Sequence, residues 1–271
     1  MNKTGFIGAG NMSSAIIGGV IKNGVLKNTD IIVYDINANA SETLNRKYAI
    51  TLAASNINVA EKSDVLFICV KPHLHESVLD EIKHHINPNA LIIIIAAGIS
   101  IDFVQKKLNA NVKVIKTMPN TPALVGEGMT AICASDNVAT SEIEGIVHLF
   151  NSIGKTTLID EELFDAYTGM AGSSPAYAFM FIEALSDAGV KYGLPRDKAI
   201  FFAAQGLLGA AKMALETNTH PGSLKDNVCS PRGATIEAVH VLERFGFRNA
   251  IIEGASACIE KSIEMKRISN S

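Results

Sequence analysis

Apolar and polar positions alternate in short blocks along the first half of the chain. Six apolar runs, separated by amphipathic stretches, are predicted as strands: Thr4–Ile7, Ile31–Tyr34, Ile50–Leu52, Val65–Val70, Leu91–Ile95 and Val112–Lys116. Continuous apolar strands that alternate with helical stretches are typical of a parallel sheet covered by helices on both faces. Two more strands, Met129–Ala134 and Thr156–Ile159, flank a predicted helix at Ser141–Phe150 and complete a first domain.

The first strand leads into a glycine-rich turn and then a helix. Gly8 and Gly10 stand in G-A-G-N-M-S, and a helix is predicted from Asn11 to Asn23. The spacing resembles G-x-G-x-x-G/A, in which glycines let a dinucleotide pyrophosphate approach the helix N-terminus, with Ser13 as the small third residue. An ordinary glycine turn is the alternative. The position directly after the first strand favours a Rossmann-type dinucleotide-binding domain, which we predict over residues 1–160.

The pattern changes after the acidic run Asp160–Glu162, where strand-like runs give way to long helical segments. We therefore predict residues 161–271 as an all-α dimerisation and substrate domain, giving an α/β fold class overall. Its helix from Pro195 to Thr217 is apolar on nearly every side, but Gln205 and Lys212 make it a poor membrane span. We predict that this helix forms the core of a homodimer, in which four small residues allow close helix approach: Gly206, Gly209, Ala210 and Ala211.

Composition and charge limit the classes of partner. The 271 residues are 48% hydrophobic and carry a net charge of −3, with no basic run, which argues against nucleic acid or an anionic membrane. A small molecule is the expected partner. The chain enters a strand almost at once, so we expect no signal peptide and a cytoplasmic location. Four widely spaced cysteines without C-x-x-C spacing predict reduced thiols rather than disulfides or a zinc site: Cys69, Cys133, Cys229 and Cys258.

Four histidines in one short region suggest a metal site at first sight: His73, His75, His84 and His85. However, His73 and His75 would fall on different faces of a helix, and no carboxylate or cysteine completes a ligand set. We predict solvated surface positions for these side chains and no metal site.

The residues that end the predicted strands are candidates for cofactor contacts. Asp35 ends the second strand, where a carboxylate can accept hydrogen bonds from ribose hydroxyls and repel a 2′-phosphate, which favours NAD over NADP. A solvated strand-end Asp is the alternative. The turns Cys69–Pro72 and Ala96–Gly98 should border the cofactor, because ligands of open α/β sheets lie outside the carboxyl ends of the strands. Met118–Pro122 is predicted as a rigid turn at the nicotinamide end.

A second informative stretch, L-K-D-N-V-C-S-P-R-G-A-T-I-E, lies in the helical half. Ser230 is a good N-cap and Pro231 a good first helical residue, so we predict a helix from here to Phe245. Free N–H groups at its start, from Arg232 to Ala234, would suit a carboxylate. A plain capped helix explains the same spacing equally well.

The first long helix of this half, Ser174–Lys191, contains no Lys or His before Lys191. Dehydrogenases that act on alcohols or ketones need such a group to handle the proton on oxygen. A substrate that is already a cation when it accepts hydride needs none, and a protonated imine fits that description.

Eight motifs in order along nearly the whole chain resemble pyrroline-5-carboxylate reductases: F-I-G-A-G-N-M, C-V-K-P-H, A-A-G-I-S, M-P-N-T-P, G-S-S-P-A-Y-A-F, H-P-G-S-L-K-D-N-V, S-P-R-G-A-T-I and G-F-R. The resemblance implies reduction of Δ1-pyrroline-5-carboxylate to L-proline with NAD(P)H, the last step of proline biosynthesis. It also implies a Rossmann domain followed by a helical domain that interleaves in a homodimer, in some members assembled further into decamers.

The resemblance also assigns site residues. It implies cofactor contacts at Gly8, Gly10, Asn11, Met12, Asn56, Val70, Lys71, Pro72 and Ala97. It implies substrate contacts at Ser230, Gly233, Ala234 and Thr235, with the catalytic Thr235 bonded to the ring nitrogen. Two departures stand out: Arg232 replaces a glycine that is usual in the family, and Asp35 lies where many members carry a phosphate-binding Ser or Arg.

Two other functions share part of this pattern. A β-hydroxyacid dehydrogenase has the same order of domains, but its catalytic Lys would have to lie at Gly169–Tyr177, which contains none. A non-catalytic dinucleotide sensor would keep Gly8 and Gly10 but would not need the anion site at Ser230–Thr235.

Overall fold

A computed structural model describes residues 3–269 and contains one eight-stranded sheet in the order β3-β2-β1-β4-β5-β6-β7-β8. The strands are β1 (Thr4–Ile7), β2 (Ile31–Tyr34), β3 (Thr51–Leu52), β4 (Val65–Ile68), β5 (Leu91–Ile94), β6 (Lys113–Pro119), β7 (Gly128–Ala134) and β8 (Gly154–Leu158). Only the β6–β7 pair of this sheet is antiparallel. The strand order reverses direction at β1 and β4, which confirms the predicted Rossmann-type architecture.

Helices follow the strands in the first part of the chain and replace them in the second. The first group is α1 (Asn11–Lys22), α2 (Ala38–Tyr48), α3 (Asn56–Lys62), α4 (His75–Ile82), α5 (Ile101–Leu108), α6 (Thr140–Asn151) and α7 (Phe164–Tyr167). The second group is α8 (Ser174–Lys191), α9 (Arg196–Thr217), α10 (Pro221–Val228), α11 (Ala234–Arg244) and α12 (Phe247–Ser269).

Two apolar clusters cover the faces of the sheet. Phe6 and Phe67 stack with ring centroids 4.6 Å apart on one face, and the ring of Phe150 from α6 packs beside them. The other face is built mainly from aliphatic side chains of β4, β5, α4 and α5. Because both faces are buried there, the inner strands β1, β4 and β5 carry apolar runs, which is why the sequence predicts them well.

Most strand boundaries match the predictions to within two residues. The prediction of β4 was too long, since the strand ends at Ile68 and residues 69–71 form the turn that follows. The prediction of β6 was too short, because antiparallel pairing with β7 extends it to Pro119, which lies opposite Thr130.

The described chain forms two compact units by its internal contacts. The first runs up to Ser173 and includes the residues from Ala257 onward, and the second is Ser174–Ser256. The predicted domains, 1–160 and 161–271, divide the chain at an earlier point. Residues just after 160 stay with the sheet because the Tyr167 hydroxyl donates to the Met129 carbonyl and the Asn120 amide donates to the Ala171 carbonyl.

The second unit consists of α8 to α11 and the first part of α12, and it leaves many apolar side chains exposed. Along α9, Phe201, Leu208 and Met213 are each more than half exposed. Among the described residues, α9 is long and apolar enough to cross a membrane by length and composition, and most of it is exposed. A helix that packs between subunits meets the same criteria.

Candidate active site

Four strands end at the same level along one edge of the sheet. Ile7 at the end of β1 lies opposite Tyr34 of β2 and Ile68 of β4, and Ile68 lies opposite Ile94 of β5. The turns that follow these strands therefore emerge side by side. The edge includes the crevice between β1 and β4, where dinucleotides bind in folds of this topology.

The turn after β1 is shaped by its two glycines. Gly8 has φ +101°, and a Cβ atom there would lie 2.8 Å from the carbonyl oxygen of Cys69, so only glycine fits. The buried Ser13 hydroxyl donates to the Gly8 carbonyl at 2.6 Å and closes the loop from below. A small third residue is thus required, as the spacing predicts.

The start of α1 is open on its outer side. Gly10 is the N-cap residue, carries no side-chain cap, and would have no atom within 4 Å of an added Cβ. Asn11 is exposed at the first helical position and Met12 is partly buried against the core. The uncapped N–H groups and the partial positive charge of the helix start suit a diphosphate, so the site fits the dinucleotide that the motif implies.

Asp35 contacts the same loop from the end of β2. One carboxylate oxygen accepts the Ala9 N–H at 2.6 Å and the other accepts the Asn37 N–H at 2.8 Å. The carboxylate therefore holds the glycine loop in place through a hydrogen bond to its backbone. Each oxygen has a second lone pair for a further donor such as a ribose hydroxyl.

Val70, Lys71 and Pro72 form the turn after β4, as predicted, and Lys71 is exposed. The Lys71 carbonyl lies 3.2 Å from Nδ1 of His75, whose side chain is fully buried. The prediction of a solvated His75 was wrong, because this bond and the packing of α4 draw the ring inward. Burial lowers the pKa of His75, so the imidazole is neutral at pH 7 and its Nδ1–H can donate.

Asn56 starts α3, and its side-chain amide donates to the Glu81 carboxylate of α4 at 2.8 Å. The adenine contact implied for Asn56 therefore stays a prediction, and its amide nitrogen has a partner within the protein. Ala97 is partly buried in the turn after β5, next to Gly98 with φ +79°. Gly8, Gly10, Asp35, the 70–72 turn and Ala97 thus all follow strands that end along one edge.

The stretch around Ser230 differs from the prediction. Ser230 is not an N-cap and Pro231 is not helical, because the Gly233 N–H donates to the Ser230 carbonyl at 3.0 Å and closes a turn first. Arg232 occupies the third position of that turn with φ +58°, which places this non-glycine residue in the left-handed region. The helix α11 begins at Ala234 with Gly233 as its N-cap.

Because α11 begins later than predicted, the free backbone N–H groups of its first turn belong to later residues. The first-turn N–H groups now belong to Ala234, Thr235 and Ile236, rather than to Arg232 and Gly233. Thr235 is exposed at the second helical position, so its hydroxyl lies beside those donors. An added Cβ at Gly233 would lie 2.4 Å from the Ser230 hydroxyl oxygen, so a larger residue there would require the Ser230 side chain to move.

A buried ion pair involving β6 was not predicted from the sequence. The Lys116 ammonium contacts the Glu161 carboxylate at 3.0 Å and lies over the Phe164 ring at 4.8 Å, with only 4% of its side chain exposed. Burial lowers the pKa of Lys116, and Glu161 opposes that shift. A lysine inside the apolar run V-K-V-I-K was the available signal.

Cys69 lacks the features of a nucleophile. All four cysteines are unpaired and partly buried, and burial raises the pKa of Cys69 to about 12, so its thiol stays protonated. Over residues 3–269, no cluster of three or more His, Cys, Asp or Glu side chains could hold a metal ion.

Two family models match the chain. The description "Pyrroline-5-carboxylate reductase dimerisation" matches residues 161–265, and "NADP oxidoreductase coenzyme F420-dependent" matches residues 3–98. The NADP oxidoreductase model spans the glycine loop after β1, and the dimerisation model spans α8 to α11.

Relatives with similar sequences span nearly the whole chain. A pyrroline-5-carboxylate reductase of Escherichia coli is 44% identical over 98% of both chains. Pyrroline-5-carboxylate reductase 2 of Homo sapiens is 43% identical over 98% of this chain and 84% of its own. A crystal structure of a Plasmodium falciparum pyrroline carboxylate reductase with NADP bound has a TM-score of 0.90 and 32% identity, covering 97% of this chain and 98% of that one.

Proposed function

The chain belongs to the pyrroline-5-carboxylate reductase family, and from this membership we propose that it reduces Δ1-pyrroline-5-carboxylate to L-proline with NADH or NADPH. This is the last step of proline biosynthesis. The observation that carries the proposal is the level row of strand ends, which brings an uncapped helix start, a strand-end carboxylate and two small turns to one edge.

The reaction mainly requires that the protein hold the substrate and the cofactor in the right relative position. When bound, a reduced nicotinamide would supply hydride for the imine carbon, and the nitrogen, already protonated in the substrate, would become the secondary amine of proline. A general acid is unnecessary because the substrate enters as a cation, which agrees with the absence of Lys or His in α8 before Lys191. Alignment of the two reactants and electrostatics therefore supply most of the rate enhancement.

The start of α11 is the proposed substrate site. Its N–H groups at Ala234 and Thr235 suit the carboxylate, since a helix N-terminus carries partial positive charge. The Thr235 hydroxyl is proposed to orient the ring nitrogen. Ser230 and Gly233 contribute by forming the closed turn that sets where the helix begins.

Cofactor contacts are proposed at the strand-end edge. The N–H groups of Asn11 and Met12 would hold the diphosphate behind Gly8 and Gly10, and Asp35 would meet the adenosine ribose. Val70, Lys71, Pro72 and Ala97 would border the rest of the dinucleotide, with Asn56 towards the adenine.

A homodimer is proposed for the helical half, and further assembly into decamers is the alternative implied by the family. The exposed apolar side chains of α9 support it, because a helix this apolar gains stability only when covered. The matching family model is described as a dimerisation domain. A cytoplasmic location is proposed as well, since four cysteines without a disulfide suit a reducing compartment.

One absorbance assay tests the function. In the first arm, oxidation of NADPH or NADH is followed with Δ1-pyrroline-5-carboxylate as the substrate. In the second, reduction of NADP⁺ or NAD⁺ is followed with a β-hydroxyacid, and a third arm contains no substrate. Turnover with the imine alone, yielding proline, is the expected result. Turnover with the hydroxyacid would indicate a β-hydroxyacid dehydrogenase, and cofactor binding without any turnover would indicate a sensor.

A further inference from the structure

The turn after β5 is contacted by residues from much later in the chain. Gly98, in its left-handed conformation, faces the backbone of α12, and an added Cβ would lie 3.4 Å from atoms of Met265 and Lys266. At the other end of the turn, the Ile101 N–H donates to the Glu161 carboxylate at 3.0 Å. The segment that carries Ala97 is thus held on both sides.

The end of α12 is fixed in place by polar contacts to α7. The Ser262 hydroxyl donates to one Asp165 carboxylate oxygen at 2.6 Å, and Ser262 is only 5% exposed. The Lys266 ammonium lies 3.8 Å from the other oxygen of Asp165. One carboxylate therefore contacts two successive turns of the helix, and its charge makes the short bond from Ser262 stronger than a neutral hydrogen bond.

We propose that the end of α12, from Ser262 to Lys266, positions the Ala96–Gly98 turn for binding the nicotinamide end of the cofactor. Ser262 and Lys266 act as positioning residues, because they anchor the helix whose backbone contacts Gly98. The inference rests on the proposed function in that Ala97 borders the cofactor, but it does not depend on which substrate is reduced.

The physical reason lies in the conformation of Gly98. Glycine in an unsupported turn samples positive and negative φ with similar ease, so its conformation must be selected by what packs against it. The backbone of α12 supplies that support. When the binding-competent form is only partly populated, the apparent dissociation constant rises by the inverse of that fraction.

The test is a fluorescence titration of the full-length protein with NADPH and with NADH, at a temperature well below unfolding. For Ser262→Ala we expect the dissociation constant to rise by about three- to tenfold, corresponding to a competent fraction of roughly a third to a tenth. Ser262→Thr, which keeps the hydroxyl, should bind as the wild type does.

The matched control lies on the same helix. Lys261 and Glu264 form an exposed ion pair with each other at 2.8 Å, so Lys261→Ala should leave cofactor affinity unchanged. Amide hydrogen exchange provides a local readout: Ser262→Ala should speed exchange at residues 97–100 while leaving the Gly8–Asn11 loop as protected as before.

A purely structural role for the anchor would lower the melting temperature of Ser262→Ala without changing the dissociation constant, and that result would overturn the proposal. Should Ser262→Ala fail to fold, Lys266→Gln takes its place with the same expectation and the same refuting result. A wild type that binds NADPH but does not reduce the imine would refute the proposed function and leave this binding test intact.

Discussion

The two glycines of the loop after β1 should respond to the same substitution in opposite ways. Gly10→Ala places a methyl group where no protein atom lies within 4 Å, at φ −75°, which alanine adopts freely. The lower chain entropy of alanine when unfolded stabilises by about 0.4–1 kcal/mol, and its poorer N-cap character costs a similar amount. The free energy of unfolding should therefore change by less than about 1 kcal/mol.

Cofactor affinity should nevertheless fall in Gly10→Ala, because the added methyl group occupies the space through which the diphosphate reaches the helix N–H groups. We expect the dissociation constant for NADPH to rise by at least about tenfold, which corresponds to roughly 1.4 kcal/mol. Fluorescence titration measures the affinity, and thermal melting of the same sample measures the stability.

Gly8→Ala is the contrasting variant. Its Cβ would lie 2.8 Å from the Cys69 carbonyl oxygen, a backbone atom that cannot move aside easily, at φ +101°. The backbone conformation alone costs about 1–2 kcal/mol, and the clash adds to it, so this variant should melt at a markedly lower temperature.

If Gly10→Ala bound NADPH as tightly as the wild type, the diphosphate would not lie over this helix start, and the reasoning would fail.

Three further outcomes follow from the proposed sites. Thr235→Ala should lower kcat/KM about ten- to hundredfold and leave cofactor affinity unchanged, because it removes a hydrogen bond of roughly 1.5–3 kcal/mol to a charged nitrogen. If this variant were as active as the wild type, the substrate site would not lie at α11. Gly209→Glu should give monomers or aggregates in analytical ultracentrifugation, because a charge would replace open space on α9; a fully active monomeric wild type would refute the dimer. The kcat/KM for NADH should be at least comparable to that for NADPH, since Asp35 repels a 2′-phosphate. A kcat/KM for NADPH tens of times higher than for NADH would show that Asp35 does not face the ribose.

Most strands of the sheet could be predicted from the sequence because the apolar runs that mark them are local features of the chain. The parallel strands β1, β4 and β5 are buried along their whole length and therefore appear as apolar runs, and Gly8 and Gly10 mark the loop by spacing alone. The extension of β6 to Pro119 could not be predicted, since it depends on pairing with β7, whose residues lie further along the chain. Local propensity does not contain that long-range partner.

The start of α11 shows a different limit. Ser-Pro at the head of an apolar helix is a strong N-terminal signal, but Ser230-Pro231-Arg232-Gly233 suits a β-turn equally well, with Pro at its second position and Gly at its fourth. Arg232 is the cause of the error: it adopts φ +58°, a conformation that glycine signals and arginine does not. His75 was misjudged for a different reason, because its burial depends on how α4 packs and on the contact with the Lys71 carbonyl.

The ion pair between Lys116 and Glu161 has a consequence for dissecting the protein into fragments. A fragment cut at the boundary that the sequence suggests, after Asp160, would keep the lysine inside the sheet and discard its carboxylate partner. Removing one partner of a buried ion pair costs up to about 3–5 kcal/mol, and the same cut also removes Phe164, whose ring covers the ammonium. An autonomously folding cofactor-binding fragment must therefore extend past Glu161 to Ser173, and the residues from Ala257 onward have to be supplied with it.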